Sequence, residues 1–390
     1  MSEWQNFKLR EVGTLQRGRS RHRPRYAFHL FNGPYPFIQT GEVREARKYV
    51  STFENTYSEA GLAQSKLWPK GTLCITIAAN IAELAILGFD ACFPDSVLGF
   101  IPDETRSDLD FVYYTLTHFQ KQLKHIGEGS VQDNINLGTF EDIEFPFPSL
   151  TEQKAIASVL SSLDDKIDLL HRQNKTLEAM AETLFRQWFI EEAKEDWNET
   201  KVLDVFSLVG GGTPKTSEAD YWDGDIPWLS GGDIANAHQG FIVKAEKAIT
   251  ELGLEKSSTK LLPKLASVIS ARGTVGRYAM LSRPMTFSQS NYGIIPKGHT
   301  YYYFVYLLLA YIVDELSAAA YGSVFDTITT RTFEDVEIKL PSMDFIAQFE
   351  SEIAPLFEKK LNNVEQIQTL ENLRDTLLPK LLSGEVRIVL

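Results

Sequence analysis

The feature that most limits what this chain can fold into is that it repeats itself once. Trp4 and Lys8 recur as Trp197 and Lys201, and Gly129-Ser130-Val131 with Asp133 and Ile135 recurs as Gly322-Ser323-Val324 with Asp326 and Ile328, always 193 residues later. The register holds through Thr139-Phe140-Glu141-Asp142 against Thr332-Phe333-Glu334-Asp335, and on to Thr176-Leu177-Glu178 against Thr369-Leu370-Glu371. It drifts to 191 at Pro36 against Pro227 and to 194 at Pro69-Lys70 against Pro263-Lys264, as loop insertions of a few residues would produce. A chain of 390 residues that repeats once reads as two similar folding units, each with its own core.

Each repeat has two parts of different character. The first mixes short β-rich runs, such as Thr72 to Ala78 and Ser267 to Ala271, with Gly, Pro and Asn punctuation, which predicts a mixed α/β domain. The second has almost no such punctuation and turns helical after Pro146-Phe147-Pro148 and Leu340-Pro341, with Thr151, Glu152 and Gln153 supplying N-terminal capping chemistry in the first repeat. The expected boundaries are 1–148 and 194–341 for the α/β domains, and 149–193 and 342–390 for the helical segments.

The helical segments carry heptads. Apolar residues fall at Ile156, Leu160, Leu163, Ile167, Leu170, Leu177, Ala181, Leu184 and Trp188, spaced by four and three, and Asn174 interrupts the seam. Carried forward by 193, the same frame gives Phe349, Ile353, Leu356, Lys360, Asn363, Ile367, Leu370, Arg374, Leu377 and Leu381, a weaker version of the first. A sustained heptad seam predicts helix against helix, and one buried Asn can fix its register. The fold expected is therefore α+β: two mixed α/β domains, each followed by a long helix, the two helices packing as an antiparallel coiled coil through these apolar positions and Asn174. The plainer alternative is a pair of long core helices in one large α domain.

Charge is segregated. The formal total of −13 argues against a nucleic-acid partner, yet from Val12 to Gln39 there is no acid at all, while Arg17, Arg19, Arg21, Arg23 and Arg25 alternate. From Lys260 to Lys297 the same happens with Lys260, Lys264, Arg272, Arg277, Arg283 and Lys297, whereas Glu141 to Glu199 holds fourteen acids and six bases. Basic patches sit on acidic helical segments.

Catalytic motifs do not emerge. Gly210-Gly211-Gly212-Thr213-Pro214-Lys215-Thr216 lacks the phosphate-loop spacing, and Pro214 removes an amide donor. No G-x-G-x-x-G follows a strand, and seven scattered histidines without companion cysteines predict no metal site. Asp103, Glu104, Asp108 and Asp110 read as solvated loop charges. The two cysteines, Cys74 and Cys92, form no disulfide framework and suit a reducing, cytoplasmic home. The N-terminus has no apolar signal core, and the greasiest run, Tyr301 to Val313, falls short of the roughly 20 residues a bilayer needs. Its counterpart Asp108 to Gln120 is amphipathic, so it reads as a buried helix of a globular domain and no membrane is expected.

Binding chemistry remains. Guanidinium groups clamp phosphates and read guanine edges bidentately, and Gln and Asn suit adenine. The candidate DNA-contacting residues are Arg17, Arg19, Arg21, Arg23, Arg25, Gln39, Thr40, Gln132 and Asn134 in the first domain. In the second they are Lys215, Thr216, Ser230, Arg272, Arg277, Gln289 and Asn291. Five arginines at period two would share one face of a strand, but Pro24 and the glycines favour an ordered loop or arm. Tyr35, Phe37, Tyr221, Trp222 and Trp228 read as core more than as stacking platforms. A protein scaffold with two protein- or carbohydrate-binding modules is the alternative, which the acid-free stretches disfavour.

Three phrases carry a resemblance. Phe147-Pro148-Ser149-Leu150-Thr151-Glu152-Gln153-Lys154-Ala155-Ile156, Gly212-Thr213-Pro214 leading to Ile226-Pro227-Trp228 and Gly232-Asp233-Ile234, and Leu377-Leu378-Pro379-Lys380-Leu381-Leu382-Ser383-Gly384 resemble the specificity (S) subunit of type I restriction-modification systems, over essentially the whole chain. The resemblance implies a non-catalytic reader of double-stranded DNA. Each α/β domain would be a target-recognition domain for one half of a split site, with the helices setting the spacer and docking two methyltransferase (M) subunits. It also implies two motor-nuclease (R) subunits, with S-adenosylmethionine, ATP and Mg2+ on those partners and no cofactor here. The sequence departs from the pattern at Arg19-Ser20-Arg21, which stands where the second domain has Gly212-Thr213-Pro214, and at Phe345-Ile346-Ala347, which stands where the first helix has Glu152-Gln153-Lys154.

Overall fold

The computed structural model describes residues 4–128, 142–321 and 327–388. The chain divides into two compact units, Met1–Ile167 with Leu370–Leu390, and Asp168–Thr369. Each unit holds one α/β domain and takes a part of both long helices, Leu150–Arg186 and Met343–Leu382.

In the first unit a five-stranded sheet runs Gly13–Arg17, Val97–Pro102, Leu73–Thr76, Leu84–Leu87, Tyr49–Val50. A four-stranded sheet runs Asn55–Tyr57, Phe31–Phe37, Ala91–Cys92, Leu67–Trp68, and Gln5–Lys8 pairs with Glu144–Phe147. In the second unit the five-stranded order is Phe206–Gly210, Asn291–Pro296, Ser267–Ser270, Tyr278–Leu281, Phe241–Ile242. Beside it lie Lys247–Ile249, Trp222–Leu229 and Thr286–Phe287, and Asn198–Lys201 pairs with Glu337–Leu340. The repeat is thus structural down to single pairs: Trp68 opposes Ala91, and Leu262 opposes Met285 in an isolated bridge at the matching place.

Side-chain alternation explains why the central strands are apolar throughout. Leu73, Ile75, Leu84 and Ile86 face a core shared with Phe111 and Leu116 of the helix Leu109–Glu128, and with Ile156, Leu160 and Leu381 of the long helices. Cys74, Ala85 and Leu87 point the other way, onto Trp68 and Phe93. The second unit repeats the division, Ile269, Tyr278 and Met280 on one side and Val268, Ala279 and Leu281 on the other. The greasy run lies in the helix Tyr302–Tyr321, apolar and long enough to cross a membrane by composition. Tyr303 to Leu309, Ile312 and Leu316 of that helix are buried in the second unit's core with Phe185, Phe189, Phe349 and Phe357.

The first long helix begins at Leu150, and the hydroxyl of Ser149 accepts from the Glu152 amide, so the cap lies two residues before Thr151. Gln153, fully buried, accepts from the Asp108 amide at 3.0 Å and donates to the Arg106 and Pro148 carbonyls, locking domain to helix. In the second repeat Glu350 takes this role from a different position, accepting from the Tyr303 and Phe304 amides at 3.0 and 2.8 Å. That resolves the departure at Phe345-Ile346-Ala347: the clamp is rebuilt one helical turn further on.

Within each unit the two long helices pack antiparallel. Asn174 meets Asn363, Glu178 meets Lys360 and Phe189 meets Phe349 in the second unit, and Asp164 meets Arg374 in the first. Partners descend along one helix as they ascend along the other. Of the expected interface, Leu160, Ile167, Leu170, Asn174 and Ile367 are buried, and Leu163, Leu177, Leu184, Leu356, Leu370 and Leu377 are half-buried. Towards the end of the first helix the seam shifts by one residue, so that Phe185 and Phe189 carry the contact that the heptad assigned to Leu184 and Trp188. The second helix is no weaker copy: Lys360, Asn363 and Arg374 sit opposite Glu178, Asn174 and Asp164, polar residue against matched polar residue.

Candidate nucleic-acid interface

The arginine-rich segment follows the edge strand of the first domain's large sheet. Only Arg17 belongs to the strand Gly13–Arg17, so the five arginines do not share a strand face. They lie on an ordered loop. The Gly18 amide donates to the Val97 carbonyl at 2.8 Å, the Arg19 amide to Phe93 at 3.0 Å, and the Arg21 and His22 amides share the Gln64 carboxamide oxygen at 2.6 and 3.0 Å. Arg23 donates to the Ser20 and His22 carbonyls, Arg25 grips the Asp95 carboxylate at 2.9 and 3.2 Å, and Arg17 donates to the Asp95 carbonyl. All five arginines are exposed, and Arg19 and Arg21 form no ion pair among the described residues. Burial first, and then the Arg19 guanidinium beside it, lowers the pKa of Lys66.

The second domain carries the matching strand end on Gly210, Gly211 and Gly212. The Gly212 amide donates to the Phe287 carbonyl at 3.0 Å, the same bond that Arg19 makes to Phe93. Here glycine is required: a Cβ on Gly212 would lie 2.3 Å from the Thr259 amide nitrogen, because that strand is closely approached and the Trp228 indole donates to the Gly212 carbonyl at 2.9 Å. Lys215 and Thr216 follow, both exposed, with Lys215 paired to Glu218 at 3.1 Å.

Cationic charge appears instead on the hairpin between Ser267–Ser270 and Tyr278–Leu281, where Arg272 and Arg277 are exposed. Gly273 and Gly276 take φ of +77° and +80°, which fold the tip. The Ser270 hydroxyl holds the Thr274 hydroxyl at 2.8 Å, and Thr274 reaches the Gly231 carbonyl at 3.3 Å. The first domain has the same hairpin with Ala79 and Ala82 at φ of +63° and +59°, and with Ala78 and Glu83 where the arginines stand. Glu83 is bound to Lys124 at 2.8 Å. Positive charge has changed loops between the repeats while the backbone bonds stayed.

Other expected contact residues turn out to be scaffold. Asn291 is 1% exposed and donates to the Ser288 hydroxyl at 2.8 Å, so it orders the strand end and does not face solvent. Ser230 caps the helix Gly231–Asn236, exchanging bonds with Asp233, and Gln39 occupies the matching cap before Thr40–Glu45, with Glu42 accepting from its amide at 3.0 Å. Thr40 is half-buried and Gln289 exposed. Gln132 and Asn134 lie outside the described residues. Phe37 and Trp228 are core, and Tyr35, Tyr221 and Trp222 are half-buried. Asp108 and Asp110 are not solvated loop charges: Asp108 caps its helix through the Phe111 amide, and Asp110 lies 3.0 Å from the buried Lys48 ammonium. Sequence reasoning missed Asp95, Gln64 and Thr274, which hold the cationic loops in place. No local pattern signals Asp95 and Gln64, which act across tens of residues, and Thr274 joins Ser270, four residues away, to Gly231, 43 away.

Each of the two α/β domains presents guanidinium or ammonium groups on ordered loops at one end of its large sheet, a surface chemistry that suits a polyanion. Residues 1–179 and 194–372 each match the family described as "Type I restriction modification DNA specificity domain", and the chain belongs to that family. It is 26% identical to the type I restriction enzyme MjaIX specificity subunit of Methanocaldococcus jannaschii, over 99% of this chain and 94% of that one. It is 23% identical to the HindI specificity subunit of Haemophilus influenzae, over 99% and 100%. The fold is similar to the crystal structure of the type I restriction-modification S subunit from M. genitalium, with a TM-score of 0.65, 17% identity and coverage of 97% and 96%. The chain is a type I DNA specificity subunit.

Proposed function

We propose that each α/β domain reads one half of a split DNA site, and that the long helices set the spacer between halves and dock two methyltransferase subunits, with two motor-nuclease subunits completing the complex. The chain itself is the non-catalytic reader. S-adenosylmethionine, ATP and Mg2+ act on the partners. The observation that carries this reading is the changed address of the exposed cations, on the loop after Arg17 in one domain and on the hairpin Arg272 to Arg277 in the other. Two domains built on one backbone with different rims suit two different half-sites. The long helices carry no excess of cations, five Lys and Arg against six acids in Leu150–Arg186 and four against seven in Met343–Leu382, which suits a protein partner more than phosphate. The two free thiols, both buried, with Cys92 pushed up to about 11 by burial, suit a cytoplasmic home.

The test is to express the chain with its methyltransferase subunit and map N6-methyladenine across the host genome by single-molecule sequencing. Two short blocks separated by a fixed run of unspecified bases is the expected motif. A continuous motif, or no methylation from an assembled complex with cofactor bound, overturns the reading.

A further inference from the structure

Two aromatic side chains on the arginine loop have no partner that explains their exposure. Phe28 is 85% exposed and Tyr26 74%, against 47% for Tyr311 and 46% for Tyr49, the next most exposed described aromatics. Leaving a phenyl ring in water forgoes the stabilisation its burial would give. The loop does not leave it there through slackness. Gln64 fixes the backbone at Arg21 and His22, Asp95 fixes Arg25, and the Ala27 amide closes a turn on the Pro24 carbonyl at 3.2 Å. Beyond the ring, Leu30 is 2% exposed, its carbonyl accepts from the Ser58 amide at 2.8 Å, and the Ser58 hydroxyl donates to the His29 carbonyl at 2.7 Å. Tyr26 is braced by stacking on Phe31, with ring centroids 6.4 Å apart, which leaves Phe28 as the free apolar tip.

The second domain holds the same turn without the tip. Its short helix Ala219–Tyr221 matches Phe28–Leu30, since the Thr250 amide donates to the Tyr221 carbonyl as Ser58 does to Leu30. At the matching places stand Ser217 and Ala219. The aromatic tip therefore belongs to one half-site only.

We propose that Phe28, supported by Tyr26, is a wedge that enters a base step of the half-site held by the first domain, partly unstacking it. This rests on the reading that the first domain binds DNA. An exposed apolar ring on the same ordered loop as five exposed arginines has the composition such wedges use, cations for the phosphates and a ring that takes the place of a stacked base. The charge selects DNA over a protein partner, because the flanking Arg19, Arg21 and Arg23 meet no carboxylate among the described residues, and no acid occurs from Val12 to Gln39. Unstacking is cheapest at pyrimidine–purine steps, so the first half-site gains a preference there without a base-edge hydrogen bond.

The test uses the assembled complex of this chain with its methyltransferase subunits and duplexes carrying 2-aminopurine at successive positions other than the adenines the methyltransferases extrude and their immediate neighbours. The wild-type complex and Phe28→Leu brighten the probe at one step of the first half-site. In Phe28→Ala the brightening is lost and affinity falls roughly tenfold, with the salt slope unchanged because no phosphate contact has gone. Probes in the second half-site stay dark in all three. A first half-site that never brightens, or that brightens equally in Phe28→Ala, overturns the wedge. Loss of methyltransferase from the Phe28→Ala complex overturns it too, by assigning the ring to a protein contact. A wild-type complex that binds no split site refutes the underlying reading instead, whereas one that binds and methylates normally with Phe28→Ala unchanged refutes the wedge alone.

Discussion

The two domains make the same backbone hydrogen bonds and wear different rims. Arg19 bonds to Phe93 as Gly212 bonds to Phe287, both at 3.0 Å, and the hairpin closes through Thr76 to Glu83 at 3.0 Å in one domain and Ser270 to Arg277 at 2.7 Å in the other. Yet the first domain puts cations on the strand exit and leaves Ala78 and Glu83 on the hairpin, while the second does the reverse. A sheet is held by main-chain groups that every residue supplies, so rim side chains can be exchanged at little cost to folding. Specificity can diverge inside one chain because the rim is energetically separate from the ladder.

Four measurements test how far the two halves differ. The largest effect is expected in the helices, where each unit has a cross-helix ion pair and the two differ in depth. Glu178 and Lys360 are 10% and 5% exposed at the side chain, whereas Asp164 and Arg374 are 13% and 29%. Lys360 also donates to the Gln239 carbonyl at 2.6 Å, and Glu178 accepts from the Tyr306 hydroxyl at 2.8 Å. Glu178→Ala strands a buried ammonium and should cost about 3–5 kcal/mol in denaturant unfolding, with Glu178→Leu/Lys360→Met recovering most of it. Asp164→Ala should cost visibly less. Equal losses would mean the two units hold their helices equally tightly.

Next comes the helix clamp. Burial pushes the Glu350 carboxyl up to about 7, against the opposing pull of the Phe304 and Tyr303 amides. Because its folded pKa lies above the unfolded 4.5, its contribution is full below about 4.5 and is lost as pH rises towards 7, by on the order of 3 kcal/mol. Gln153, the first repeat's clamp, does not titrate. Thermal midpoints of wild type and Glu350→Gln between these pH values should therefore diverge in slope, and parallel curves would contradict the assignment.

On DNA, Arg272→Ala should cost about 1–3 kcal/mol at one base pair of the second half-site if it reads a base edge, and weaken all sequences alike if it grips a phosphate. The first half-site should be untouched, as read by binding to duplexes mutated one position at a time. The smallest effect is at the hairpin tips. Ala79 at φ +63° pays strain that Gly273 avoids, so Ala79→Gly should be neutral or stabilise by up to about 1 kcal/mol, while Gly273→Ala destabilises. A measured loss in both would show the tips are not equivalent.

Much of this architecture is legible in the sequence, and the limits are instructive. The drift in offset from 191 to 194 matches where strands recur, at Phe31–Phe37 against Trp222–Leu229 and at Leu73–Thr76 against Ser267–Ser270. Asn174 stands out as a polar residue in an apolar seam, but its partner is Asn363 and not its repeat counterpart Ile367, because the helices run antiparallel. Lys360, Asn363 and Arg374 read as defects in a heptad until their partners are seen. Asn291 carries base-reading chemistry and is buried, whereas Phe28 is an apolar ring and is exposed.

Periodicity and repetition along the chain encode two α/β domains, two long helices, where the cations cluster, and the family. Those properties are local, fixed by the order of residues along one segment. Tertiary structure alone decided which cations stay free, which polar residues pair across helices, which carboxamides become caps and which ring stands in water. Those depend on residues brought together from tens to hundreds of positions apart, such as Arg25 with Asp95, Glu178 with Lys360 and Gln64 with Arg21, and no pattern along the chain specifies a contact made across it.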